Sequence, residues 1–198
     1  MKNTALQIST KNGINFRDPE EGFRRSKSTR TDISFRDLSS SQQRTVDVLH
    51  NSEQPASVFS ILDTGSKTIP VVADTLFDLL VMKMNTVLQK RQKIESRGSR
   101  FELCDFCIKI GSVTVPGAGQ NFKGVLLEIE YRACVIPNYC WEFMKEFIQG
   151  FLGTNTLNVP PQYLQTRMND VYQPIDTIQQ YLEHFNMFRK STGIMSYN

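Results

Sequence analysis

Tryptophan, histidine and cysteine are scarce in this chain: one, two and four among 198 residues. Four cysteines are too few for a disulfide scaffold at this length. His50 and His184 stand alone, with no Ser-His-Asp arrangement around them, and read as structural side chains rather than ligands. No apolar run approaches the ~18–20 residues that cross a bilayer as a helix. Met1 to Thr10 has neither the apolar stretch nor the cleavage pattern of a secretory leader. GxSxG, P-loop and GxGxxG motifs are absent, which removes the hydrolase and nucleotide-binding classes they mark. Gly117-Ala118-Gly119 is not followed directly by a helix, so it reads as a hairpin loop rather than a phosphate cradle. The chain is expected to be soluble and intracellular.

The formal net charge of +3 and pI near 8.7 raise a nucleic-acid reading, but the charge is unevenly placed. Residues 1–44 hold nine basic and five acidic side chains, a net of +4; residues 45–198 hold 14 and 15, a net of −1. Apolar content changes at the same point, from 10 of 44 to 68 of 154. The first segment also has seven Ser and no sustained period of 2 or 3.6, a composition that cannot offset chain entropy by burial. Residues 1–44 are therefore expected to be a disordered basic tail and 45–198 the folded domain. Arg24-Arg25-Ser26-Lys27-Ser28-Thr29-Arg30 could serve RNA binding, import or phosphorylation; composition alone favours a solvated tail.

The folded part alternates as strands over Thr45–Asn51, Ala56–Leu62 and Thr68–Ala73, with turn chemistry at Asp63-Thr64-Gly65-Ser66. Pro70 points to an edge strand. Thr75 and Asp78 resemble a capping box opening a helix over about 75–91, ending in Lys90, Arg91 and Lys93. Strands then resume: Phe101–Ile110 as one run broken by Gly111, Ser112–Val115, and Lys123–Ile136 with Val125, Leu127, Ile129 and Tyr131 on one face. Asn138 reads as the N-cap of a second helix, with Trp141, Met144, Phe147, Ile148, Phe151 and Leu152 as its stripe and Gly153 at its end. After a polar connection over 154–172, Pro174 opens a third helix that buries Ile175, Ile178, Leu182, Phe185 and Phe188. The order βββ-α-βββ-α-α, with hairpin-length connections, predicts an α+β chain: a mostly antiparallel sheet able to curl into a barrel, with flanking helices.

Three constellations carry candidate chemistry. Cys104-Asp105-Phe106-Cys107 has CxxC spacing, but lies in a strand pattern without a second pair, since Cys134 and Cys140 form no matching knuckle; all four are expected to be core cysteines. Glu128-Ile129-Glu130 puts two carboxylates on one strand face, as in barrels that hold a divalent metal for phosphate chemistry. No second Glu-x-Glu exists, and alternation predicts that this face is an outward polar one. Arg91, Lys93, Arg97 and Arg100 are expected to be a helix end and a solvated turn, with no aromatics interleaved for base stacking. None of these amounts to a catalytic, metal or cofactor site.

Longer segments carry a resemblance. Leu49-His50-Asn51-Ser52-Glu53-Gln54-Pro55, Ala73-Asp74-Thr75-Leu76-Phe77-Asp78, Ile94-Glu95-Ser96-Arg97-Gly98-Ser99-Arg100-Phe101, Glu128-Ile129-Glu130-Tyr131, Cys140-Trp141, and Asp176-Thr177-Ile178-Gln179-Gln180-Tyr181 occur in order over about 46–190. Together they resemble the Mediator complex subunit 20 family. The resemblance implies a triphosphatase-like β-barrel without the catalytic carboxylate set, hence a non-catalytic, cofactor-free coactivator subunit. It implies pairing with Mediator subunit 18, contact with subunit 8 and the rest of the head module, indirect action on RNA polymerase II, and a nuclear location. It implies neither membrane association nor direct sequence-specific nucleic-acid binding. Members open with a short strand and a helix, which residues 1–44 do not resemble. The alternative on the same barrel is a metal-dependent triphosphate or RNA 5′-triphosphate hydrolase using Glu128.

Overall fold

Alternating side chains on successive strands leave a sheet with two faces to cover, and in this chain both are covered by helices. The computed structural model describes residues 4–10, 24–38, 44–116, 121–153 and 159–190. Their strands are β1 (Thr4–Thr10), β2 (Arg24–Asp37), β3 (Thr45–Asn51), β4 (Val58–Asp63), β5 (Thr68–Ala73), β6 (Leu88–Leu103), β7 (Phe106–Val115) and β8 (Asn121–Tyr131). The helices are α1 (Leu76–Lys83), α2 (Pro137–Leu152), α3 (Gln162–Gln165) and α4 (Pro174–Lys190). The strands form one antiparallel sheet in the order β1-β8-β7-β6-β2-β3-β4-β5, curled, with β1 and β5 at its edges. The expected α+β class, antiparallel sheet and flanking helices are present, as is the edge position of Pro70.

The boundary at residue 44 is not. Thr4–Thr10 and Arg24–Asp37 are strands, and β2 lies inside the sheet between β6 and β3. Its polarity misled the compositional reading. Ser28, Arg30, Asp32 and Ser34 alternate with Thr29, Thr31, Ile33 and Phe35, and the polar set is buried, Arg30 and Asp32 against Glu128 and Arg189 far along the chain. The other residues of 1–44 lie outside the described segments, apart from Leu38 and Arg44.

The missing partner strand also explains the helix boundary. Helix α1 ends at Lys83, a turn bonds Val87 N–H and Leu88 N–H to Met84 O, and β6 begins at Leu88. Leu88 to Lys93 are spoken for by β2, Leu88 standing opposite Asp37 and Lys93 opposite Ile33. The basic run Arg91–Arg100 is thus strand, not helix end. The expected run Phe101–Ile110 is a hairpin, closed by Cys104 and Asp105, with Cys104 at φ 49°. Strand β8 stops at Tyr131, and Ile136 rather than Asn138 occupies the N-cap of α2, with Pro137 at its first position. Gly153 ends α2 at a positive φ of 88°, but its ψ of 174° is extended rather than the expected left-handed helical conformation. The polar connection includes α3; residues 117–120 of the expected hairpin loop and 154–158 lie outside the described segments.

Helix α2 lays Cys140, Trp141, Met144 and Ile148 on Leu6, Phe101, Phe106, Ile108, Leu127 and Ile129. Helix α1 covers a smaller patch, Val81 meeting Phe35, Val48, Val58 and Leu88. Helix α4 takes the opposite face, where Ile178, Tyr181, Leu182, Phe185 and Phe188 meet Leu49, Phe59, Ile61, Ile94, Val113 and Leu126. Phe147 stacks on Phe106 at 3.9 Å between centroids, adding to the α2 contact.

Gly111 does not break β7. It stands opposite Gly98 of β6, and a Cβ on Gly98 would run into the Ile110 carbonyl and the Gly111 Cα. Both obstacles are backbone, so relief requires the strands to part. We expect Gly98→Ala to cost about 3 kcal/mol, at the upper end of ordinary overpacking. Gly150→Ala, on α2 with open space around it, should instead gain up to about 1 kcal/mol from helix propensity. Urea unfolding of the two variants checks the contrast; equal midpoints would remove the close-approach argument.

Candidate functional site

Register places a row of polar side chains across the face beneath α4. Gln7 of β1 stands opposite Glu128 of β8, Glu128 opposite Lys109 of β7, and Lys109 opposite Arg100 of β6. Arg30 reaches the row from β2. Its Nη2 lies 3.3 Å from Glu128 Oε2, and Lys109 Nζ donates to Glu128 Oε1 at 3.1 Å. The Tyr181 hydroxyl of α4 donates a short hydrogen bond to Glu128 Oε2, and the Arg30 guanidinium lies 5.0 Å from the centre of the Tyr181 ring. From the β3–β4 loop, Glu53 reaches Lys109 Nζ at 2.9 Å and Arg100 Nε at 3.5 Å. A cavity of about 150 Å³ opens beside the cluster, lined by Arg30, Asn51, Glu53, Lys109, Glu128 and Glu130 among others.

The expected outward face of Glu128 is therefore an inward one. Glu128 is only 2% exposed, because α4 covers the side of β8 opposite α2. Burial pushes its carboxyl up, but Lys109, Arg30 and the Tyr181 hydroxyl outweigh burial and bring it down to about 2. Burial likewise works against the Lys109 charge, and Glu128 and Glu53 overcome it, raising its proton affinity.

This geometry bears on the hydrolase alternative. The Lys109 ammonium lies 2.9, 3.1 and 3.8 Å from the carboxylates of Glu53, Glu128 and Glu130. That is the place a divalent cation takes in a paired-carboxylate site. With both Glu128 oxygens engaged by donors, binding a metal would require expelling a buried cation. Among the described residues no group of three or more His, Cys, Asp or Glu is arranged to hold a metal.

The remaining candidates disperse. Cys107 and Cys140 are buried and Cys134 half-buried, but Cys104 is exposed on the β6–β7 turn, against expectation; all four are free. Burial pushes the Cys107 thiol up and the Cys140 thiol to about 11, so neither is an activated nucleophile. The His184 ring donates to Gln7 O at 3.1 Å, and His50 lies 3.3 Å from Asp78. Arg97 pairs with Glu95, and Arg100 with Glu102 and Glu53.

Sequence reasoning missed a second cluster entirely. At the far end of α4, Arg189 Nη2 lies 2.5 Å from Asp32 of β2, and Nη1 lies 3.6 Å from Asp47 of β3. Burial, followed by the nearby Asp47 charge, pushes Asp32 up to about 7 despite Arg189. One guanidinium cannot fully compensate two buried carboxylates, so one of the pair holds a proton far above the usual range. The available signal was the period-2 spacing of Arg30, Asp32 and Ser34 against Ile33 and Phe35.

Two stability tests follow. Removing the Glu128 charge leaves Lys109 to Glu53 and Glu130 and Arg30 to a Glu53 oxygen 3.9 Å away, so Glu128→Gln should cost about 3 kcal/mol, the lower end for a broken buried pair. Glu128→Gln with Lys109→Met should recover a large part of that loss in denaturant unfolding, and a purely additive double variant would deny the coupling. For Asp32, the folded state binds the proton more tightly than the unfolded chain, whose carboxyl titrates near 3.8. Its stabilising contribution is thus present below about pH 4 and is lost as pH rises through about 7. Asp32→Asn should flatten the decline in melting temperature between pH 5 and 8; an unchanged slope would sink this assignment.

Comparison with known proteins identifies the lineage. Residues 23–186 match the profile of the family described as "TATA-binding related factor (TRF) of subunit 20 of Mediator complex", which extends the resemblance back through β2. The chain is 59% identical over 160 residues to Mediator of RNA polymerase II transcription subunit 20 of Aedes aegypti, covering 75% of this chain and 72% of that protein. Identity to the Drosophila melanogaster protein of the same name is 50% over 169 residues, covering 77% and 66% of the two chains. For the Homo sapiens protein it is 42% over 149 residues, covering 74% and 67%. Among solved structures, the Schizosaccharomyces pombe Mediator head module is 7% identical with a TM-score of 0.36, covering 93% of this chain and 96% of that one. A conserved hypothetical protein from Pyrococcus furiosus is 13% identical with a TM-score of 0.44, covering 82% and 99%. Those two likenesses are too slight to bear on fold or function. With the profile spanning β2 to α4 and relatives at 42–59% identity over about three quarters of its length, this chain belongs to the Mediator subunit 20 family.

Proposed function

We propose that this protein is a non-catalytic subunit of the Mediator coactivator, acting in the regulation of RNA polymerase II transcription in the nucleus. The observation that carries this reading is the family match over residues 23–186. Chemistry supports it. Of the two carboxylates that β8 places like metal ligands, Glu128 is engaged by Lys109, Arg30 and Tyr181 and Glu130 lies 3.8 Å from Lys109, so their role is to hold the strands together and to α4. In this reading the subunit sits in the head module, pairs directly with subunit 18 and contacts subunit 8. It touches the polymerase machinery only through them and does not read DNA sequence. Affinity purification of the tagged full chain from nuclear extract, followed by mass spectrometry, should return Mediator head subunits, with 18 and 8 prominent. Recovery of the chain alone would refute the assignment. The same preparation should release no phosphate from nucleoside or RNA 5′-triphosphates in manganese or magnesium, and turnover abolished by Glu128→Gln would favour the hydrolase instead.

A further inference from the structure

We propose that helix α1, together with strand β5 at the edge of the described sheet, is the face on which this chain receives an amphipathic helix of another Mediator subunit; the proposal rests on the Mediator reading above. Sixteen large apolar side chains are exposed among the described residues, and eight of them fall between Ile69 and Met84. Apolar exposure of that density marks an interaction surface rather than ordinary scatter.

The arrangement within α1 specifies the occupant. Phe77 and Val81 turn inward onto the patch formed by Val48, Val58 and Leu88. Leu76, Leu79 and Leu80 remain 65, 53 and 54% exposed, and Met82 59%. The three leucines stand at i, i+3 and i+4, so they form one stripe on the outward side. A helix of eight residues has little stability of its own, and this one uses only its inner side to pack. A partner helix laid along the leucine stripe supplies the missing contacts, and Met82 and Met84 provide side chains that adapt to its shape.

An added strand fits less well. Strand β5 is the open edge beyond β4, but Pro70 stands in its middle without an N–H, so a strand pairing there forfeits a ladder bond. A membrane surface fits less well too, since helices that lie on lipid carry Lys and Arg on their polar side. Asp78 turns to His50 of this chain, so the charges flanking the stripe are the exposed Asp74 before α1 and Lys83 at its end. They call for a partner helix with a basic side chain opposite Asp74 and an acidic one opposite Lys83. Such a pattern also fixes the direction in which that helix lies.

The test uses the full chain co-expressed with the Mediator head subunits. Leu76→Glu with Leu80→Glu should leave the far-UV spectrum and melting temperature of the isolated chain unchanged, because both side chains already face water. Removing two central apolar anchors should lower the recovery of head subunits by roughly a hundredfold. Tyr139→Glu, at a 78% exposed position on α2, should recover them at the wild-type level. In the wild-type assembly, hydrogen exchange should slow over residues 76–83 more than over 68–73. Undiminished recovery by the double leucine variant overturns the assignment of this face. Protection confined to 68–73 replaces the helix with an added strand, and loss of a homodimer without loss of head subunits replaces it with a second copy; either defeats the proposal. If the wild-type chain itself recovers no head subunit, the Mediator reading fails, a result distinct from failure of the face.

Discussion

The ammonium of Lys109, caged by Glu53, Glu128 and Glu130, is the contact on which the inner face of the sheet depends. Lys109 and Glu128 belong to adjacent strands, Arg30 to a third, Glu53 to the β3–β4 loop and Tyr181 to α4. The cluster therefore ties together distant segments: Arg30 meets Glu128 98 residues on and Tyr181 further still. Buried charges of this kind contribute little net stability, since desolvation offsets their attraction. Their consequence is selectivity. A β8 shifted by one residue would point Glu128 at the α2 face and bring Leu127 beneath Tyr181, leaving Lys109 and Arg30 to share Glu53.

The same logic runs along α4. Its middle carries Gln180, whose amide donates to Ala5 O at 3.2 Å and to the Tyr172 hydroxyl at 2.9 Å, and Gln7 donates to Thr177 O at 3.0 Å. These bonds hold edge strand β1 against the helix. At the start of α4, Asp176 accepts from the Tyr163 hydroxyl at 2.7 Å and lies 3.0 Å from Arg167, tying down the segment around α3. At its end, Arg189 engages Asp32 and Asp47 on β2 and β3. Helix α4 is thus a polar bolt across one face, with Phe185 and Leu182 filling the space between its fixings. Helix α2 is held almost wholly by apolar contact. The two helices explain why β8 is buried on both sides although its sequence alternates.

That difference decides what was legible in the sequence. The stripes of α2 and α4, the strands β3, β4 and β5, and the edge position of Pro70 follow from period and turn chemistry alone. Residues 1–44 did not yield to the same reading. Average hydrophobicity counts Arg30, Asp32 and Ser34 as solvent-seeking, and nothing local reveals that Glu128 and Arg189 wait for them 98 and 157 residues away. Without β2 as a partner for Leu88–Lys93, helical spacing carries α1 on to about residue 91 and makes Arg91–Arg100 a helix end. The inward turn of Glu128 was hidden for a related reason. Alternation says that two faces differ, but not whether a helix covers both.

Charge and apolar surface occupy different places in this fold. Catalytic barrels keep carboxylates open to a cleft, where a metal or substrate completes their coordination. Here Glu128 is already engaged by Lys109, Arg30 and Tyr181, while Asp32 and Asp47 share the single guanidinium of Arg189. The unfinished surface lies outside, in leucine and valine side chains of α1 and β5 that no other part of the described chain covers. Charge largely paired within and apolar surface left without is a distribution expected of a piece that is completed by another protein. It also assigns different costs to mutation in the two places. Changes to the charge cluster act on whether the sheet closes onto α4, whereas changes to the α1 stripe leave folding intact and act on assembly.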